Sequence, residues 1–131
     1  LVQLNGQFEG AATGETFNVN GKTDILIRSN DRNVFIAECK FWKGPKQYLE
    51  TIDQLIGYKA WRDTKTAILI FNRTTAMSTI LEKVEATTKE HKNFKRSVDW
   101  KHETGFRYVF HHDGDANREF VLTVLIFDVP A

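Results

Sequence analysis

Residues 21–42 constrain the fold more than any other stretch. Two apolar runs, Thr23–Arg28 and Val34–Phe41, flank a polar segment, Ser29–Asn33, rich in Asn and Asp. Such residues tolerate turn backbone and hydrogen-bond it locally, so the stretch reads as a β-hairpin. If the turn centres on Asp31, Asp24 lies directly opposite Glu38. Side chains alternate along a strand. Asp24, Leu26, Val34, Ile36, Glu38 and Lys40 therefore share one face, and Ile25, Ile27, Phe35, Ala37, Cys39 and Phe41 share the other. The second face is apolar throughout and reads as plain core. The first is apolar near the turn and charged at its far end.

Two carboxylates opposed across a hairpin repel unless a cation lies between them. A divalent metal is the usual oxygen-seeking guest. Lys40, two residues beyond Glu38 on the same face, is placed to hold a substrate anion or a nucleophilic water. The alternative is a structural salt-bridge cluster of Asp24, Glu38 and Lys40 at a sheet end.

After Phe41-Trp42, Gly44-Pro45 punctuates a loop. Helical spacing of Tyr48, Ile52, Leu55 and Ile56 predicts a helix from about Tyr48 to Trp61. Thr66–Phe71 is a continuous apolar run that reads as a buried strand, parallel to the Glu38 strand because a helix intervenes. Within the helix, Gln54 and Tyr58 lie one turn apart on one face.

Asp24, Glu38-Cys39-Lys40 and Gln54-x-x-x-Tyr58, in this order, resemble the PD-(D/E)XK nuclease superfamily, including the Gln-and-Tyr helix motif of its RecB-type members. The likeness covers residues 14–71, and Thr23 precedes the Asp where the family pattern has Pro. The resemblance implies an α/β fold, a restriction-endonuclease-like mixed β-sheet flanked by helices. It implies metal-dependent hydrolysis of phosphodiester bonds in nucleic acid, with DNA the expected substrate. Asp24, Glu38 and the Cys39 backbone carbonyl would ligate Mg²⁺ or Mn²⁺. Lys40 would position or activate water, and Gln54 would orient water or phosphate. Tyr58 would brace the helix or touch the nucleic-acid backbone. Glu9 is a further candidate carboxylate or a solvated helix-end residue, and Glu15 either approaches the metal or faces water.

Local charge bears on the same reading. Lys43, Lys46, Lys59 and Arg62, with Trp42 and Tyr48 among them, form a candidate nucleic-acid-binding cluster or an ordinary solvated helix face. The net charge of +1 supplies no global basic field, so any such surface is local. Two other classes remain beside the enzyme: an inactive nuclease-fold binding module, and a structural or regulatory domain with an accidental charge cluster.

The chain of 131 residues is long enough for one domain with a real core, to which ten Phe and three Trp contribute. It reads as a fragment of a longer protein, with an upstream domain and a homodimer both compatible with it. The single Cys39 excludes an internal disulfide and fits a cytoplasmic location. No apolar run has membrane-spanning length. Residues 1–10 read as a helix end and 12–19 as a first strand, with Asn20-Gly21 a hairpin turn. A second helix is expected over Thr79–Lys92, opened by a Thr79-x-x-Glu82 capping box and covering the other sheet face. Residues 93–104 read as irregular. Phe106–His112 and Glu119–Val129 read as a second hairpin turning at Asp113-Gly114-Asp115. His111 and His112 are adjacent on a strand and point to opposite faces, which is poor for joint metal ligation.

Overall fold

The structure is a computed structural model. It describes residues 12–19, 22–29, 32–57 and 65–130, with side chains from Phe35 onward. The expected N-terminal helix end, the Asn20-Gly21 turn, Glu9, Tyr58, Lys59 and Arg62 lie outside the described residues.

The chain forms an α/β fold: strands β1 (Ala12–Val19), β2 (Lys22–Ser29) and β3 (Arg32–Phe41), helix α1 (Pro45–Gly57), β4 (Lys65–Asn72), helix α2 (Met77–Lys89), then β5 (Phe94–Val98), β6 (Gly105–His112) and β7 (Asp115–Asp128). The described strands make one mixed sheet in the order β1-β2-β3-β4-β7-β6-β5. β3, β4 and β7 run parallel, and the remaining pairs are antiparallel. The apolar run of β7, Phe120–Phe127, lies between β4 and β6 rather than at a sheet edge.

The hairpin pairs Asp24 with Glu38, as centring on Asp31 requires. Nearer the turn, an irregularity between Ile27 and Arg28 shifts the pairing to Arg28–Asn33 and Ser29–Arg32. A bulge of this kind absorbs one residue without disturbing the register beyond it.

Helix α1 begins at Pro45, a residue suited to the first helical position because its missing N–H needs no partner there. Gly44, at φ 106°, makes the turn into it. Tyr48, Thr51, Ile52, Leu55 and Ile56 form its buried stripe. Helix α2 begins two residues before the expected Thr79. Its N-cap is Ala76, with no side-chain cap, so the Thr79–Glu82 capping box does not form. The preceding turn is tied instead by Asn72, which accepts from the Thr75 N–H at 3.0 Å and donates to Asp128 Oδ1 at 2.8 Å.

Both helices lie on one face of the sheet, which corrects the expectation that α2 covers the other. Tyr48, Ile52, Leu55 and Ile56 of α1 and Ile80 and Val84 of α2 share one core with Ile36, Ile68, Ile70, Leu122, Val124 and Ile126. The Tyr48 hydroxyl meets Thr88 Oγ1 at 2.6 Å, and Thr88 donates to the Val84 carbonyl at 2.6 Å. At the far end of α2, His91 Nδ1 accepts from the Asn93 N–H at 3.0 Å. Its Nε2–H is thereby left to donate to Asp53 of α1 at 2.8 Å. An amphipathic stripe specifies that a helix has a buried side, not which side of a sheet receives it.

The assignment of core to the Phe35–Phe41 face is corrected too. Ala37 is buried there, but Phe35 and Cys39 are half-buried and Phe41 is 45% exposed. The helix-covered face is the one carrying Ile36, Glu38 and Lys40. A fifth strand replaces the irregular segment expected after α2: β5 pairs with β6 at the sheet edge. Its Lys95 and Arg96 bind Glu119 at 2.7 and 3.5 Å, charges that suit an edge.

Candidate active site

The site assembles where β3 passes beneath α1. Glu38 is wholly buried and Lys40 is 8% exposed, side by side on the helix-covered face. A carboxylate and an ammonium group seldom occupy such positions unless interactions hold them there, because removing charge from water is costly. The Lys40 ammonium donates to Gln54 Oε1 at 3.2 Å. Gln54 opens the last turn of α1, so the helix that roofs the strand also fixes its lysine. This contact joins two residues singled out separately in the sequence.

Asp24 is the register partner of Glu38, and Phe17 of β1 is the register partner of Asp24. Glu15 pairs with Leu26, in a different row from the Asp24–Glu38 pair. Cys39 is half-buried and stands one residue from each of the two charged positions. Among the described residues no group of three or more His, Cys, Asp or Glu side chains is placed to hold a metal. The Asp24 side chain is outside that set.

A pocket opens beside Lys40 at the start of α1, lined by Trp42, Lys43, Gln47, Tyr48 and Thr51 among others. Lys43, which lines it, and Lys46, in the first turn of α1, are both exposed. The first amides of a helix carry partial positive charge and lack internal acceptors. Two lysines and a helix start therefore give this end of the sheet a local anion-attracting character despite the near-neutral chain. The pocket was not apparent from sequence. Its signal was the Lys43-Gly44-Pro45 corner, which turns β3 directly into α1.

Tyr48 of α1 and Tyr108 of β6 belong to the buried core. Burial pushes both hydroxyls well above the ordinary phenol range, and for Tyr48 the hydrogen bond with Thr88 offsets part of this. Neither phenol is therefore suited to act as a base near neutrality. Tyr108 Oη approaches Thr88 but makes no well-formed hydrogen bond. His111 and His112 sit at the β6 end; the Nδ1–H of His111 donates to the neighbouring His112 carbonyl at 2.9 Å. Burial, with Arg118 nearby, lowers the His112 pKa.

Comparison with known proteins finds no matching family model, no matching curated protein and no matching solved structure. Among the described residues no helix is long and apolar enough to cross a membrane.

Proposed function

We propose that the chain is a metal-dependent nuclease with a restriction-endonuclease-like core of the PD-(D/E)XK type, hydrolysing phosphodiester bonds in DNA. The observation that carries this reading is a lysine buried two residues from a buried glutamate, held by Gln54 of the following helix. The register partner of that glutamate is an aspartate.

Residues directly opposite on antiparallel strands lie on the same side of a sheet. On that basis Asp24 and Glu38 offer paired hard oxygen donors suited to Mg²⁺ or Mn²⁺, with the Cys39 carbonyl as a third. When bound, the ion would supply Lewis acidity and positive charge at the phosphate. Lys40 brings its ammonium to the same face, where it stabilises negative charge developing on the phosphate or holds the attacking water. Gln54 keeps that ammonium in place from above. Burial beneath α1 limits competing water, so these electrostatic interactions act more strongly than they would at an open surface. Lys43 and Lys46 draw the nucleic-acid backbone to this end of the sheet.

Single-turnover cleavage of a labelled duplex in Mg²⁺ tests the reading. Lys40→Ala should slow cleavage by about 10²-fold or more, the scale of losing one electrostatic or acid–base group. It should leave a Mg²⁺-induced rise in Tm in place. Equal rates for wild type and variant would remove Lys40 from the chemistry. Absence of cleavage and of any metal effect would reduce the cluster to a structural ion pair.

A further inference from the structure

The face of the sheet opposite the helices carries aromatic rings and arginines together. Phe41, Phe71 and Phe127 stand in register at the C-terminal ends of β3, β4 and β7. Adjacent rings in this row have centroids 5.9 Å apart. Phe41 and Phe127 are 45% and 40% exposed. The Arg73 guanidinium lies 4.5 Å from the centre of the Phe41 ring, and that of Arg107 lies 4.2 Å from Trp100. Trp100 in turn stacks on His102 at 5.0 Å. Gly105 allows this packing: a Cβ there would meet Leu125 at 2.8 Å and Trp100 at 3.1 Å.

Both arginines are exposed, and neither has a carboxylate within ion-pair distance among the described residues. Asp128, beside Phe127, is engaged by Asn72. These cations decide what the face can receive. A second copy docking by two-fold symmetry would bring the same cationic patch against itself. An apolar helix would have to desolvate two guanidinium groups without neutralising them. An unpaired nucleic-acid strand supplies both complements: base rings to stack on exposed aromatics, and phosphates for the guanidinium groups.

We propose that this face is a stacking platform for single-stranded nucleic acid. Lys40 and Phe41 are consecutive and point to opposite faces, so the platform begins where the candidate active site ends. The inference rests on the nuclease reading for its consequence, that the substrate has an unpaired strand beside the point of cleavage. Binding itself does not depend on catalysis.

The test is fluorescence anisotropy with labelled oligo(dT) and a duplex of matched length, in EDTA so that no hydrolysis occurs. Oligo(dT) should bind more tightly than duplex. The double variant Phe41→Ala/Phe127→Ala should weaken oligo(dT) binding by about tenfold or more. Arg73→Ala/Arg107→Ala should lower the slope of log K against log salt by roughly 1.4, the loss of two phosphate contacts on a single strand. Unchanged affinity and slope in both variants would overturn the platform. So would a wild-type dimer, seen by sedimentation, that the Phe variant abolishes. Cleavage of duplex in Mg²⁺ with unaltered oligo(dT) binding in the variants would sink the platform and leave the nuclease intact. Oligo(dT) binding sensitive to the variants, without cleavage under any metal, would sink the nuclease and leave the platform.

Discussion

The two faces of the sheet invert the usual distribution of side chains. The face under the helices is close-packed and apolar, aliphatic over β3 and β4 and aromatic at β6, yet it holds Glu38 and Lys40 out of water. The opposite face presents Phe41, Val121 and Phe127 to solvent, with arginines lying against its aromatics. Stability alone favours neither arrangement. Burying charge is costly unless it is compensated, and exposed aromatic rows invite association. The helix-covered face therefore carries both the core and the proposed chemistry. The other contributes less to stability and is freer to bind.

That contrast can be broken by mutation. The largest effect is expected at Ile68, which is wholly buried in the row that pairs Glu38 with β4. Ile68→Ala should cost about 2–5 kcal/mol, the range for truncating a buried aliphatic side chain in a packed core. Urea unfolding measures it. A loss under 1 kcal/mol would mean that the helices do not clamp this face.

Tyr48→Phe should cost about 1 kcal/mol, because it removes the one described hydrogen bond of that hydroxyl across to α2. Thr88 keeps its bond to the Val84 carbonyl, so the penalty should not reach that of a stranded polar group. Phe127→Ser, on the opposite face, should cost about 1 kcal/mol, because the ring is 40% exposed and what it loses is chiefly its stacking on Phe71. If Phe127→Ser proved as damaging as Ile68→Ala, the two faces would be energetically alike and the platform would be a second core.

The hairpin register was legible in the sequence because the alternation has a period of two and the Asn/Asp turn lies at its middle. A one-residue slip would have moved every apolar side chain to the wrong face. Glu38, Lys40 and Gln54 were each visible by spacing. The bond between Lys40 and Gln54 was not, since it depends on how α1 crosses β3. The side chosen by the helices was also hidden. Ile25, Ile27, Phe35 and Phe41 read as apolar as Ile36, Ile68 and Ile70, and hydropathy does not distinguish a covered face from a sticky one. Strand β5 escaped notice because Phe94-Lys95-Arg96-Ser97-Val98 lacks alternation. Phe94 packs against the core, and the rest of this edge strand is exposed and held by ladder hydrogen bonds and by Glu119.

The smallest effect is expected at Asp24, and its sign decides between a metal site and a structural ion pair. If Asp24 and Glu38 are there to share a cation, their negative charges oppose each other in its absence. Asp24→Asn then removes a repulsion while keeping the side-chain shape. In EDTA the variant should be as stable as wild type or slightly more so. A structural ion pair predicts the reverse, because losing one carboxylate would leave the cationic partner under-compensated in a buried setting. Excess Mg²⁺ should raise the wild-type Tm, since a ligand bound only by the folded state stabilises it by mass action. It should do little for Asp24→Asn. Four thermal melts, both proteins in EDTA and in excess metal, measure this. Clear destabilisation of Asp24→Asn in EDTA, with no metal response in either protein, would make the helix-covered face purely structural and remove the chemical half of the contrast between the two faces.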